Sequence, residues 1–338
     1  MASHPKSVFL VGPGFVGLPI IGLLLAANYQ VTTMVRNKDQ AAALEKKGVK
    51  TLHGTLDDHD LLTAQAAQHA ITINTASSDH VPSTLAINAG LRQRVAKSLP
   101  TILIHTSGTG VLVDNAKGAY KTDRVYRDDN PAEIDALPDT AFHRDVDLEI
   151  VKAAKEFGDK AKLAIILPPT IHGFNPENKR LSMAVPKMMR FALKHGFTGH
   201  IGAGANIWNT VHVNDLARAY SLLLSDLTSP SPSLNVLENP YFFTEDGYIY
   251  SWKEVAERIG NVLFRLGKIE SPGPRVLSEE HYADLLGPIT EMALGSNSIC
   301  RAVRLRKLGW VPREKGIWKS FEEDEVEYLI SSYEAEGK

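Results

Sequence analysis

Short apolar runs alternating with stretches of helical character set the pattern of this chain. Residues 8–11 (VFLV) form a continuous apolar run of the length a strand buried on both faces needs, and 15–27 reads as an apolar helix. A second strand follows at 31–35, a helix at 39–47 ending in Gly48, and a third strand at 49–52. The run 70–75 (AITINT), a helix over 85–99 and the run 101–105 (TILIH) continue the alternation, which predicts an α/β fold built on a doubly wound parallel sheet. Further on, 228–233 (TSPSPS) reads as an exposed loop, 234–237 as a last sheet strand, and the acidic run 321–328 (FEEDEVEY) as the solvated face of a terminal helix.

Between the first strand and the first helix, Gly12, Gly14 and Gly17 fit the G-x-G-x-x-G spacing. The first glycine permits the tight turn, the second admits a pyrophosphate against the backbone, and the third lets helix and strand pack closely, with phosphate at the helix N-terminus. This predicts dinucleotide binding at Gly12, Gly14, Phe15, Val16 and Gly17, with a purely structural turn as the alternative. Pro19, placed beyond the first turn of a helix starting at residue 15, is expected to remove a hydrogen bond and kink it. The end of the second strand faces the adenosine ribose in this architecture, and there the chain has Arg36 instead of an acidic residue. A guanidinium suits a 2′-phosphate, so NADP is expected over NAD, the alternative being that Arg36 and Lys38 are solvated loop residues. The stretch 8–27 carries no charge and also invites a membrane or signal-peptide reading, but its glycines and prolines and its direct continuation into a strand argue against that.

With 338 residues and 43% hydrophobic content the chain can bury a large core and carry a smaller lobe beside the main domain. A formal net charge of −2 with no basic cluster leaves no electrostatic footprint for nucleic acid. Cys300 is the only cysteine, which excludes an internal disulfide and fits a reducing, cytoplasmic location. The histidines show no metal-ligand spacing, so no metal site is expected. The expected partner is a small-molecule substrate, without nucleic acid or membrane, and a homodimer is left open.

Five blocks then occur in order: VGPGFVG at 11–17, INTAS at 73–77, HTSGTGVLVD at 105–114, LPPTIHG at 167–173 and VHVNDLARAY at 211–220. Together with SWKEVAERIG at 251–260 and LRKLGW at 305–310, this set resembles the extended short-chain dehydrogenase/reductases of the NAD(P)-dependent epimerase/dehydratase branch. The resemblance spans almost the whole chain. It implies a Rossmann domain from 1–173 and 206–237, and a smaller, largely C-terminal substrate lobe from 174–205 and 238–338. It also implies a nicotinamide end near Ala76, Thr106, Ser107, His143, Pro169, Thr170 and Ile171.

The catalytic pattern of that family departs here. Its usual tyrosine and lysine stand four residues apart on one helix, yet none of the ten tyrosines here has a lysine four positions on. Tyr120 and Arg124 imitate the spacing but stand too soon after the strand. In the corresponding helix, AFHRDVDLEIVKAA, His143 takes the tyrosine position and Asp147 the lysine position. An i, i+4 carboxylate orients an imidazole, so His143 is a candidate proton donor held by Asp147; a contact to cofactor or substrate without proton transfer, and a structural role, are the alternatives. The family's serine position is Gly108, flanked by Ser107 and Thr109 as candidate hydroxyls, and its usual arginine before the prolines is Leu167. The expected activity is that of an NADP-dependent reductase or dehydrogenase on a small carbonyl or alcohol; the alternative is a catalytically silent NADP(H) sensor. His80 is either a loop residue or one facing the substrate.

Overall fold

The computed structural model of the chain describes residues 6–337, so residues 1–5 and 338 of the expected segments lie outside the described residues. Nine elements alternate first: β1 (Ser7–Val11), α1 (Gly17–Ala26), β2 (Gln30–Val35), α2 (Lys38–Glu45), β3 (Lys50–His53), α3 (His59–Gln68), β4 (Ile71–Asn74), α4 (Val81–Ala96) and β5 (Ile102–Thr106). Then come β6 (Tyr126–Arg127), α5 (Pro131–Asp135), α6 (Arg144–Phe157), β7 (Lys162–Leu167), β8 (Thr170–His172), β9 (Phe174–Asn175) and β10 (Arg180–Leu181). The chain continues through α7 (Ala184–His195), β11 (Gly199–His200), β12 (Ile207–His212), α8 (Val213–Leu227), β13 (Tyr241–Phe243), β14 (Ile249–Ser251) and α9 (Trp252–Arg265), and ends in the helix Val326–Ala335.

Seven strands form one parallel sheet in the order β13-β7-β5-β4-β1-β2-β3, flanked by helices in a Rossmann-like arrangement. Val8, Phe9, Leu10 and Val11 are all 0% exposed, the burial that a strand covered on both faces requires. The strand order reverses between β1 and β4, and the crevice at the carboxyl ends of such a pair is where a doubly wound sheet accepts its ligand.

Three local expectations are corrected. Helix α1 starts at Gly17, not at 15, so Pro19 falls in the first turn, where its missing N–H has no partner to lose, and no kink is required. The seventh strand is Tyr241–Phe243, with Phe242 opposite Ile166, and not 234–237. The Asn235 side chain accepts from the N–H groups of Leu237 and Glu238 at 3.1 and 3.3 Å, and this Asx turn delays the strand. The acidic run is not wholly solvated: Glu325 is 1% exposed and accepts from Ser320 Oγ at 2.9 Å and Gly173 N at 3.2 Å. Burial pushes its carboxyl pKa up.

A second hydrophobic core joins Val185, Met189 and Phe191 of α7 to Val255, Ile259 and Leu263 of α9 and to Phe321 and Leu329 near the C-terminus. Ser251 caps α9 by accepting from Glu254 N at 3.1 Å, the Ser half of a capping box. The VHVNDLARAY block ties this region to the sheet. Its buried Asp215 accepts from Arg218 and from the N–H groups of Arg313 and Glu314, and Tyr220 reaches Thr106 at 2.6 Å. No helix among the described residues is long and apolar enough to cross a membrane.

Candidate active site

The glycine turn closes against β4. Gly12 has φ +92°, and a Cβ on it would come within 2.5 Å of Ala76 Cα, so both its conformation and its neighbour demand glycine. A Cβ on Gly17 would meet Gly12 O at 2.2 Å, whereas one on Gly14 would point into open space. That open space is one end of a cleft of about 580 Å³ whose walls include Gly12, Gly14, Arg36, Ala76, His80 and Arg180. Helix α1 has no side-chain cap at its N-terminus; Leu18 N donates to Gly14 O at 3.0 Å, and no side-chain cap competes with an anion for the N–H groups before it. Open space at Gly14, an uncapped helix and the guanidinium groups of Arg36 and Arg180 on the walls of the same cleft fit a dinucleotide phosphate chain. We expect Gly17→Ala to abolish measurable NADPH binding in calorimetric titration and to cost roughly 1–3 kcal/mol of stability, because a backbone oxygen cannot move aside as a side chain can. Unchanged affinity would show that the turn tolerates the added carbon.

Beyond Phe15, a second cleft of about 510 Å³ opens over the ends of β5 and β7. Ser107, Thr109, His143, Pro169, Thr170 and Ile171 all line it, as does Phe15. Thr109 N donates to Pro168 O at 2.9 Å, which joins the strand ends beneath the cleft. Thr106 is not among the lining residues: its hydroxyl donates to Asn74 O at 2.8 Å and meets Tyr220 Oη, an interior tie. Val16 sits at the N-cap of α1, and His80 caps α4 by accepting from Ser83 N at 3.2 Å, so His80 borders the first cleft and not the second.

His143 and Asp147 do not form the expected pair. His143 is the residue before α6, with φ +68°, and only its carbonyl keeps the helical spacing, accepting from Asp147 N at 3.2 Å. This left-handed conformation swings the imidazole off the helix face. Its Nδ1 donates to Asp79 Oδ1 at 2.5 Å, and Nε2 is left for other work. Burial acts to raise the Asp79 pKa, but the hydrogen bond and charge of His143 outweigh it and hold the carboxyl below its ordinary value. The two departures from the resembled family belong together. A Cβ on Gly108 would stand 3.3 Å from His143 Nε2, and one on Gly110 3.0 Å, so a serine at 108 would crowd the ring.

Asp147 points inward. It is 0% exposed, accepts from Ser107 Oγ at 2.9 Å through Oδ2, and has no partner for Oδ1. Burial raises its pKa to about 7, against the lowering effects of Ser107 and Arg144. Thr109 Oγ1 is likewise buried without a partner.

Residues 12–126 match the family model described as NAD(P)H-binding. This part of the chain is an NAD(P)-binding domain. Over 330 residues the chain is 27% identical to the oxidase ucsJ of an Acremonium species, covering 91% of this chain and 93% of that protein. Its fold is similar to that of a UDP-glucuronic acid 4-epimerase from Bacillus cereus, solved with UDP-glucuronic acid and NAD, at a TM-score of 0.67 and 12% identity over 97% of this chain and 100% of that one. It is also similar to yeast methylglyoxal/isovaleraldehyde reductase complexed with NADPH, at a TM-score of 0.63 and 14% identity over 97% and 99%. Within the NAD(P)-binding domain, sequence reasoning missed Asp79, although it directly follows the small-residue edge 76–78. Arg180 was also missed, because it comes from a hairpin that no motif marks.

Proposed function

We propose that the chain is an NADP(H)-dependent reductase or dehydrogenase acting on a small organic carbonyl or alcohol. One observation carries this reading: Ser107 and the Asp79-held His143 line a single open cleft that adjoins the dinucleotide cleft at Gly14 and Phe15. A catalytically silent sensor would be expected to have that cleft filled.

When bound, a nicotinamide cofactor supplies the hydride for the carbonyl carbon. Ser107 Oγ donates to Asp147 Oδ2 as the structure stands; protonation of Asp147 at Oδ2 would reverse that bond and free the serine O–H to hold the substrate oxygen. His143 delivers the proton from Nε2, and Asp79 keeps Nδ1 protonated and the ring oriented. Because the Asp147 pKa lies near 7, carbonyl reduction should fall as pH rises through neutrality, when the aspartate ionises and recaptures the serine proton. NADPH oxidation with a panel of neutral ketones tests the reading. Binding of NADPH without oxidation by any of them would overturn it in favour of a sensor.

The preference for NADP rests on Arg36 and Arg180 at the adenosine end. A charge-assisted hydrogen bond to a phosphate contributes about 1.5–3 kcal/mol, so Arg36→Asp should weaken NADPH binding roughly 10- to 100-fold and leave NADH little changed. Equal affinities of the unaltered protein for both cofactors would remove the assignment.

A further inference from the structure

The cleft beside His143 is built for a body without charge. Trp208 and Trp252 enter it from the lobe, and Leu286, Ile289, Met292 and Ala293 close it from the C-terminal third. The Trp208 indole N–H is already given to Ser296 O at 2.7 Å, so this residue offers only its ring. No lysine or arginine is among the described residues lining the cleft, and its ionisable side chains there are Asp79 and His143, which are bonded to each other. A diphosphate would meet one carboxylate and, as a side-chain cation, only the His143 ring that this carboxylate already holds. The N-terminus of α7 reaches the wall at Met183 and Ala184, but a helix end contributes only about half a positive charge and serves a neutral oxygen equally well. Lys179 and Lys187 line an adjoining groove outside the cleft.

Three buried polar atoms on the cleft's residues have no partner: Thr109 Oγ1, Ser182 Oγ and Trp252 Nε1. Thr109 is 1% exposed and Trp252 2%, so neither can turn to bulk water. These atoms are closed off from the open cleft as well as from bulk water, so what the lobe presents to a ligand here is an apolar wall. All three are neutral.

We infer that this cleft takes an uncharged, largely apolar carbonyl compound, and rejects phosphorylated or nucleotide-linked substrates. Turnover of that compound rests on the reductase reading, whereas its binding does not. The test uses α-tetralone, its hydroxy and carboxylate derivatives, and UDP-glucose, each titrated calorimetrically into the full chain loaded with NADP and each assayed for NADPH oxidation. The neutral ketones are expected to bind at least ~10-fold more tightly than the carboxylate, with UDP-glucose weaker still. Equal or tighter binding of the carboxylate or of UDP-glucose, or failure of both neutral ketones to bind at millimolar concentration, overturns the inference. Selective binding of the neutral ketones without NADPH oxidation would sink the reductase reading and leave the ligand class standing. Oxidation with a preference for the carboxylate would do the reverse.

Discussion

Replacing His143 by alanine lowers kcat for carbonyl reduction by roughly a hundred- to ten-thousand-fold, the contribution typical of a positioned general acid, while NADPH affinity stays within about twofold. The expectation follows from where the ring is held. Its Nδ1 is committed to Asp79, its Nε2 faces the glycines at 108 and 110, and it lines the same cleft as Ser107. Asp79→Asn should lower kcat less, about tenfold, because an amide can still accept from Nδ1–H but does not balance a charged ring. Steady-state kinetics and cofactor titration on the two variants separate the alternatives. If His143→Ala instead weakens NADPH binding and leaves kcat intact, the histidine is a binding residue and the proton comes from elsewhere.

The second large effect is on stability. The Asp147 pKa is raised from 3.8 to about 7 by burial, so between about pH 4 and 7 the folded protein holds a proton that the unfolded chain has released. Stability from this group is therefore fully present at low pH and is lost as pH rises through 7. The difference between the two states corresponds to on the order of 4 kcal/mol. Asp147→Asn retains an acceptor for Ser107 and cannot ionise. Its own amide, like Oδ1 now, would lack a partner, so a constant cost of roughly 1–3 kcal/mol is expected at every pH. The informative quantity is the slope. Denaturant-derived stabilities measured at pH 5 and pH 8 should diverge, with the variant gaining about 3 kcal/mol relative to the unaltered protein at the higher pH, since about two of the pH units over which the proton is held fall in that window. Parallel curves would mean that the carboxyl is ionised in the folded state throughout.

Both results turn on contacts that lay beyond sequence spacing. His143 and Asp147 stand one helical turn apart, and that spacing pairs side chains only if both residues are helical. The left-handed backbone at 143 breaks the condition, sending one side chain to Asp79, 64 residues away in the chain, and the other to Ser107, 40 residues away. The same limit explains the last strand. Apolar residues at 234–237 satisfied the strand pattern as well as 241–243 did, and the Asn235 turn decided between them.

Much of the molecule was legible in order along the chain. Apolar runs that must be buried on both faces, alternating with helices, determine a parallel doubly wound sheet, because few other arrangements cover such strands. The glycine spacing determined the dinucleotide turn for an equally local reason: Gly12 needs its positive φ and Gly17 its missing Cβ within a single strand-turn-helix unit. The tertiary structure alone decided what surrounds that frame. It gave His143 its carboxylate, buried Asp147 far enough to move its titration toward neutrality, brought Arg180 to the same cleft as Arg36, and lined the second cleft with tryptophans and aliphatic residues from distant segments. Local geometry is written in neighbouring residues. Burial, charge and the chemistry of a cleft arise from residues that meet only when the chain has folded.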